Sequence, residues 1–286
     1  MKALISGGKT GQLRWELART VPAGADAVFL TREEMDVTDA DAVAAAVAAH
    51  RPDVIINASA YTAVDKAESE REAAFAVNCD GVANLARAAR DNNARLVHVS
   101  TDFVFDGSSS SPYTTDAPTK PLGVYGESKL AGEQQVQEIL GESGLILRTS
   151  WVYSSFGNNF VKTMLRLMNE RDELGVIADQ AGTPTWARGL AGAVWLAAEK
   201  QLSGVHHWTD AGLISWYDFA QAIYEEGRAG GKINKQTRIR PLRTEEYPTP
   251  ARRPAYSVLD KSKTWDALGL TSDHWRESLR KMMQEL

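Results

Sequence analysis

Ala3-Leu4-Ile5-Ser6-Gly7-Gly8-Lys9-Thr10-Gly11-Gln12-Leu13 is a short apolar run, a glycine-rich turn and the start of a helical pattern that continues through Trp15, Leu17 and Ala18. Strand, glycine turn and helix in that order is the context in which such a turn binds a dinucleotide. The glycines let backbone N–H groups come close to a pyrophosphate at the N-terminus of the helix. On that reading Gly8, Lys9, Thr10, Gly11, Gln12 and Leu13 touch a cofactor. A plain tight turn would use the same glycines for bending alone. The spacing is Gly8-x-x-Gly11-x-x-Arg14, so the third glycine of the usual pattern is missing. That glycine lets the helix lie close to the strand. Arg14 must therefore either point away or push the helix outward.

Downstream, Ala27-Val28-Phe29-Leu30 reads as a second strand ending at Thr31-Arg32. An acid at this place binds the ribose hydroxyls of NAD, whereas an arginine suits the 2′-phosphate of NADP. Arg32, with Lys9, points to NADPH and leaves NADH open; a solvated surface arginine is the ordinary alternative. Asp36 and Val37 stand where a side chain would approach the adenine, and Asp36-Val37-Thr38-Asp39 equally reads as the cap of the alanine-rich helix that follows. Pro52-Asp53-Val54-Ile55-Ile56-Asn57-Ala58-Ser59-Ala60 is a third strand running into small residues, which leave room for a cofactor at the strand's carboxyl end. The next helical stripe carries Phe75, Asn78, Val82 and Leu85. Asn78 is either a satisfied core amide or a member of a proton relay.

The fourth strand, Arg95 to Thr101, brings Thr101 to the same rim, where its hydroxyl either donates to a substrate carbonyl or caps the strand end. His98 within that strand reads as structural. Leu145-Ile146-Leu147 is a fifth strand. Strands alternating with helices through this half give an α/β fold, a doubly wound parallel sheet of Rossmann type.

Tyr125-Gly126-Glu127-Ser128-Lys129 puts a phenol and an ammonium four residues apart, on one helix face. Their stripe continues through Gly132, Val136 and Ile139, so the pair points at packed structure. A phenol is a poor acid near neutrality, with an ordinary pKa of about 10. A neighbouring positive charge lowers that value, which suits proton transfer to a carbonyl oxygen under reduction. An amphipathic helix carrying this spacing by chance is the plain alternative.

Composition narrows the class. With 286 residues the chain buries a substantial core, and its net charge of -5 is mixed along the sequence, which argues against nucleic acid as partner. The one cysteine, Cys79, allows no internal disulfide and suits a reducing cytoplasm. The early glycines do not fit a signal-peptide core, and no apolar run reaches the ~18 residues of a membrane span. A soluble cytoplasmic protein, away from membranes, is expected.

Gly8-x-x-Gly11, Asn57-Ala58-Ser59-Ala60, Ser100-Thr101 and Tyr125-x-x-x-Lys129, in this order, resemble the extended short-chain dehydrogenase/reductase superfamily. Further stretches resemble its dTDP-4-dehydrorhamnose reductase family: Ala63-Val64-Asp65-Lys66-Ala67-Glu68, Ser100-Thr101-Asp102-Phe103-Val104-Phe105, Arg148-Thr149-Ser150-Trp151, Gly157-Asn158-Asn159-Phe160, Asp179-Gln180-x-Gly182-x-Pro184-Thr185 and Pro248-Thr249-Pro250-Ala251-x-Arg253-Pro254. The resemblance covers nearly the whole chain. It implies an NADPH-dependent oxidoreductase that reduces the C4 ketone of a nucleotide sugar. Tyr125 would be the proton donor, Lys129 would lower its pKa and hold the nicotinamide ribose, and Thr101 would polarise the ketone. Asp102, Phe103 and Trp151 would line the sugar site, and Asn159 and Arg253 would face the diphosphate.

The family often has tyrosine where this chain has Phe103, so one hydroxyl contact to the sugar is missing. Some members form a metal-bridged dimer through acids on the first helix and on the helix after the Pro-Thr motif. Glu16 matches the first, but Arg188 stands about where the second belongs, so magnesium is not expected; monomer and homodimer both remain open. The expected division is a dinucleotide-binding domain over 1–150 and a mainly substrate-binding lobe over 151–286, with about 187–212 returning to the first. The five arginines 238, 240, 243, 252 and 253 read as a solvated basic patch, except that Arg253 suits a diphosphate. The rival functions are another 4-ketoreductase, an epimerase or dehydratase of the same superfamily, and a regulatory subunit without chemistry. Dehydration needs a further acid/base group beside Thr101-Asp102, where Phe103 cannot move a proton.

Overall fold

The computed structural model describes residues 1–286. Strands β1 (Lys2–Ser6), β2 (Asp26–Leu30), β3 (Val54–Asn57), β4 (Arg95–Thr101) and β5 (Gly144–Thr149) form one parallel sheet with a later strand, Gly204–His207. The spatial order is Gly204–His207, β5, β4, β3, β1, β2. Chain direction across the sheet reverses between β1 and β3, the place where open α/β sheets bind ligands beyond the carboxyl ends of their strands.

The strands read as unbroken apolar runs because both faces are covered. Ile5, Ile56, Val97 and Leu147 pack under the helices Gln12–Arg19 and Ala187–Glu199. Leu4, Ile55, Leu96 and Ile146 pack under Ala40–His50, Gly81–Asp91 and Val124–Leu140. This is the doubly wound parallel sheet expected from the sequence. The alanine-rich helix is capped by Asp39, whose carboxylate accepts from the Asp41 and Ala42 amides.

A second core gathers Met164 and Met168 from Phe160–Glu170, Phe219 and Ile223 from Trp216–Ala229, and Leu279 and Met282 from Trp275–Met283. The parallel pair Glu173–Ile177 and Arg238–Leu242 lies against it. Ser215 and Asp218 close a capping box at the start of Trp216–Ala229, holding two N-terminal amides. The helix Ala187–Glu199 and the strand Gly204–His207 belong to the main sheet, although they lie between elements of this second core. No helix is long and apolar enough to cross a membrane.

Candidate active site

The glycine turn closes on itself, with the Gly11 amide donating to the Gly8 carbonyl at 2.9 Å. A side chain on Gly11 would come within 3.1 Å of that carbonyl, whereas the space beside Gly8 is open. Helix Gln12–Arg19 then starts with no side-chain cap and no acid in its first turn. Its unspent N–H groups fit a dinucleotide pyrophosphate. The Gln12 side chain is committed elsewhere: its amide oxygen accepts from Asn159 Nδ2 at 2.9 Å. Asn159 in turn caps Phe160–Glu170 through the Lys162 amide and donates to the Ser154 carbonyl. Asn159 thus clasps the glycine turn to the second core, and its amide nitrogen is occupied within the chain.

Arg14 does not push the helix outward. Its Cβ and Cδ lie where a side chain on Gly7 would reach to 3.3 Å, so the space lost at position 14 is recovered at position 7. The guanidinium extends 5.4 Å above the Phe29 ring of β2. At the end of β2, Arg32 is 75% exposed and pairs with Asp36 at 3.0 Å, while Lys9 pairs with Glu33 at 3.6 Å. Asp36 also accepts from the Thr38 amide and hydroxyl, and these contacts hold its carboxyl below the usual range despite partial burial. Val37 is buried in the sheet core, against Gly81.

Beyond β3, the Ala58 amide bonds the Ser6 carbonyl and the Ser59 amide bonds Asn57 Oδ1; Ala60 is exposed at the rim. Asn78 sits in a π-helical turn, Ala76–Asp80, that joins Arg71–Phe75 to Gly81–Asp91. Its amide exchanges bonds with the Tyr61 backbone and donates to Ser128 Oγ at 3.0 Å. Of the two readings of Asn78, the satisfied core amide is the one these contacts describe.

Thr101, Tyr125 and Lys129 come together at the carboxyl end of β4. Lys129 is 2% exposed; its Nζ donates to the Val99 carbonyl at 2.7 Å and lies 3.4 Å from His98 Nε2. Burial lowers its pKa to about 8, opposed by the Glu133 carboxylate. Tyr125 is pushed up to about 12 by burial, with the Thr101 hydroxyl pulling the other way and Asp102 adding to the rise. The acidified phenol expected from the Tyr-x-x-x-Lys spacing is therefore not what this arrangement gives. The ammonium is turned to β4, and burial dominates the phenol. Asp102 is buried beside Thr101, Oδ1 to Oγ1 3.1 Å, and burial raises its carboxyl to about 6 against hydrogen bonds from Ser257 and Thr101. Phe103 stands edge-on to Tyr125 at 5.4 Å.

A cavity of about 1240 Å³ lies between Arg253 and the second core, lined among others by Asp65, Phe160, Gln180, Trp216 and Arg252. Arg253 is not free in it. Its guanidinium makes a bidentate pair with Asp65 at 2.8 and 3.0 Å and donates to Thr249 Oγ1. Trp151 is not in the cavity lining. It holds a left-handed backbone (φ 47°), stacks on Trp216 at 3.6 Å, and leaves no room for a side chain on Gly182. Trp216, which does line the cavity, carried no aromatic signal separable from ordinary core packing. Asp65 lay in a recognisable stretch, but only its partner 188 positions away gives it a role.

Glu16 is fully buried and receives Ser154 Oγ, the Arg188 guanidinium at 3.3 Å and Arg19 at 3.6 Å. Arg188 also pairs with Glu285. A guanidinium stands between the two carboxylates, so these residues do not fit a divalent cation.

A parallel sheet whose switch point carries an open glycine turn, with a helix bearing a partly buried tyrosine and a buried lysine two strands away, defines the extended short-chain dehydrogenase/reductase class. The family model described as "RmlD substrate binding domain" matches residues 1–286. A dTDP-4-dehydrorhamnose reductase of Burkholderia thailandensis is 44% identical over 100% of this chain and 99% of its own length. The Escherichia coli K12 enzyme of that name is 44% identical over 98% and 96%. The crystal structure of dTDP-4-dehydrorhamnose reductase from Bacillus anthracis in complex with NADP superposes with a TM-score of 0.93, at 36% identity, over 100% of this chain and 99% of that one. The chain belongs to the dTDP-4-dehydrorhamnose reductase family.

Proposed function

We propose that this chain reduces the C4 ketone of dTDP-4-dehydro-6-deoxy-L-mannose to dTDP-L-rhamnose, using NADPH and a proton from Tyr125. The observation that carries the catalytic part is the partly buried Tyr125 beside Thr101 at the carboxyl end of β4, one strand from the sheet's switch point. A phenol whose pKa is about 12 holds its proton at neutral pH, the state a donor to a reduced ketone must start from.

In this reading Gly8, Lys9, Thr10, Gly11, Gln12 and Leu13 hold the pyrophosphate side of the coenzyme by backbone, and Ala58, Ser59 and Ala60 leave it room. The coenzyme, when bound, supplies hydride to the sugar's C4. Thr101 donates to the carbonyl oxygen, giving up its bond to Asp102, and Tyr125 delivers the proton to that oxygen as the C–O bond becomes single. Lys129, lying against Val99 and His98, supplies the cationic group beside the nicotinamide ribose. Asp102 and Phe103 bound the sugar, Phe103 by its ring alone. Arg253, braced by Asp65, and Trp216 form the nucleotide end of the cavity; Trp151 supports Trp216 from behind, and Asn159 fixes the glycine turn. The division of labour follows: residues 1–150 for the coenzyme, 151–286 mainly for the sugar nucleotide, with about 187–212 built into the sheet.

Purified protein with the keto-sugar nucleotide and NADPH tests the proposal. Loss of NADPH absorbance in step with formation of the alcohol supports it. Conversion of the sugar without net coenzyme consumption would instead make the chain an epimerase or dehydratase, and no turnover would leave a chemically silent scaffold.

A further inference from the structure

We propose that Arg14, standing where the glycine pattern has its third glycine, selects the coenzyme by reading the adenosine 2′-phosphate. The inference rests on the reading above that a dinucleotide lies along the glycine turn.

Three cations face the end of β2. Arg32 is bound to Asp36 and mostly in solvent, and Lys9 is bound to Glu33. Arg14 makes no ion pair or hydrogen bond within the chain, and its Nε is buried without a partner. A guanidinium that is partly desolvated and unpaired is costly unless a ligand completes it. Its position is fixed by two contacts: the stem lies in the space that Gly7 leaves open, and the head lies over Phe29. Both turn it from the pyrophosphate end of the turn toward β2, the strand at whose end an adenosine ribose is read. Of the two carboxylates nearby, Glu34 feels the Arg14 charge but accepts from the Thr31 amide at 2.8 Å and makes no ion pair with the guanidinium, and Glu33 is engaged by Lys9. The two residues that follow β2 are Thr31 and Arg32, neither of them an acid that would accept the ribose hydroxyls of NAD. A planar guanidinium offers a phosphate two parallel donors, which Lys9 cannot.

The test is equilibrium binding, followed by quenching of tryptophan fluorescence, of NADPH and NADH to the wild type, Arg14→Gln, Arg14→Lys and Arg32→Ala. Arg14→Gln keeps the stem beside Gly7 but removes the charged head, and with it the contact over Phe29. It is expected to weaken NADPH about 10- to 100-fold and leave NADH within about threefold, while Arg32→Ala changes the ratio by less than about threefold. Arg14→Lys should fall between. In the wild type, 2′,5′-ADP should bind more tightly than 5′-AMP, a comparison that needs no variant to fold. An unchanged NADPH-to-NADH ratio in Arg14→Gln, or equal affinity of the two adenosine phosphates, would overturn the assignment of Arg14. A wild type that binds neither coenzyme would instead sink the proposed function on which it rests.

Discussion

Lys129 Nζ and His98 Nε2 lie 3.4 Å apart inside the sheet, two basic groups in contact with no carboxylate between them. The contact is tolerable because the imidazole is neutral: burial, and then the lysine's charge, hold its pKa well below the ordinary value. His98 Nδ1 meets Asn57 Nδ2 at 3.1 Å, and Asn57 bonds Ser6, so a polar chain runs from Lys129 to β1.

That burial makes stability depend on pH. Lys129 has a pKa of about 8 when folded, against about 10.4 unfolded. Between those values the unfolded chain holds the proton and the folded chain does not, so this residue favours folding more as pH rises. Below pH 8 its full cost is present, of the order of 3 kcal/mol. Lys129→Met should thus gain stability over the wild type at neutral pH, and the gain should shrink through pH 8 to 10 in urea titrations. A gap that stays constant from pH 7 to 10 would mean that the lysine keeps its proton in the fold as it does unfolded, its pKa not lowered by burial.

Tyr125→Phe removes one oxygen from a position already apolar on the Phe103 side. We expect kcat to fall by at least about 100-fold with NADPH affinity unchanged. Because the wild-type phenol sits near 12, its pH–rate profile should show no limb from this group at neutral or mildly alkaline pH. Near-wild-type turnover in the variant would assign the proton to another acid.

Gly132 faces the Asn78 carbonyl so closely that an added Cβ would stand 2.1 Å from that oxygen. Gly132→Ala should cost about 2 kcal/mol by forcing Val124–Leu140 off the π-helical turn that carries Asn78. The midpoint of chemical unfolding reads this directly. Because Lys129 rides on the same helix, kcat should drop as well.

Arg188→Leu leaves Glu16 buried with only Arg19 to balance it. A loss of about 2 kcal/mol is expected, lower than for a wholly buried pair because Arg188 is 30% exposed. Neither EDTA nor magnesium chloride should move the wild-type unfolding midpoint. A clear rise with magnesium would show that a cation can displace the guanidinium.

What could be read from sequence was local. The strand–turn–helix at Gly8 and Gly11 and the four-residue spacing of Tyr125 and Lys129 are short-range patterns, and the sheet assembled around them as expected. The environment of those residues was not legible. Spacing put an ammonium on the phenol's face, but its direction was set by the Val99 carbonyl on β4. Asn159 looked like a ligand group because its partner, Gln12, lies 147 positions away. The same holds for Arg253, braced by Asp65, and for Glu16, whose neutralising arginine sits on a helix from the other half of the chain. Long-range polar partners leave no periodicity for a reader to find.

The exchange of volume between Gly7 and Arg14 binds two positions into one choice. A designer wishing to carry the arginine into another dehydrogenase would do best to move the glycine with it, since a Cβ at position 7 would crowd the stem to 3.3 Å. On the coenzyme role proposed for Arg14, positions 7 and 14 would have to be compared as a pair, the one residue making the bed in which the other lies.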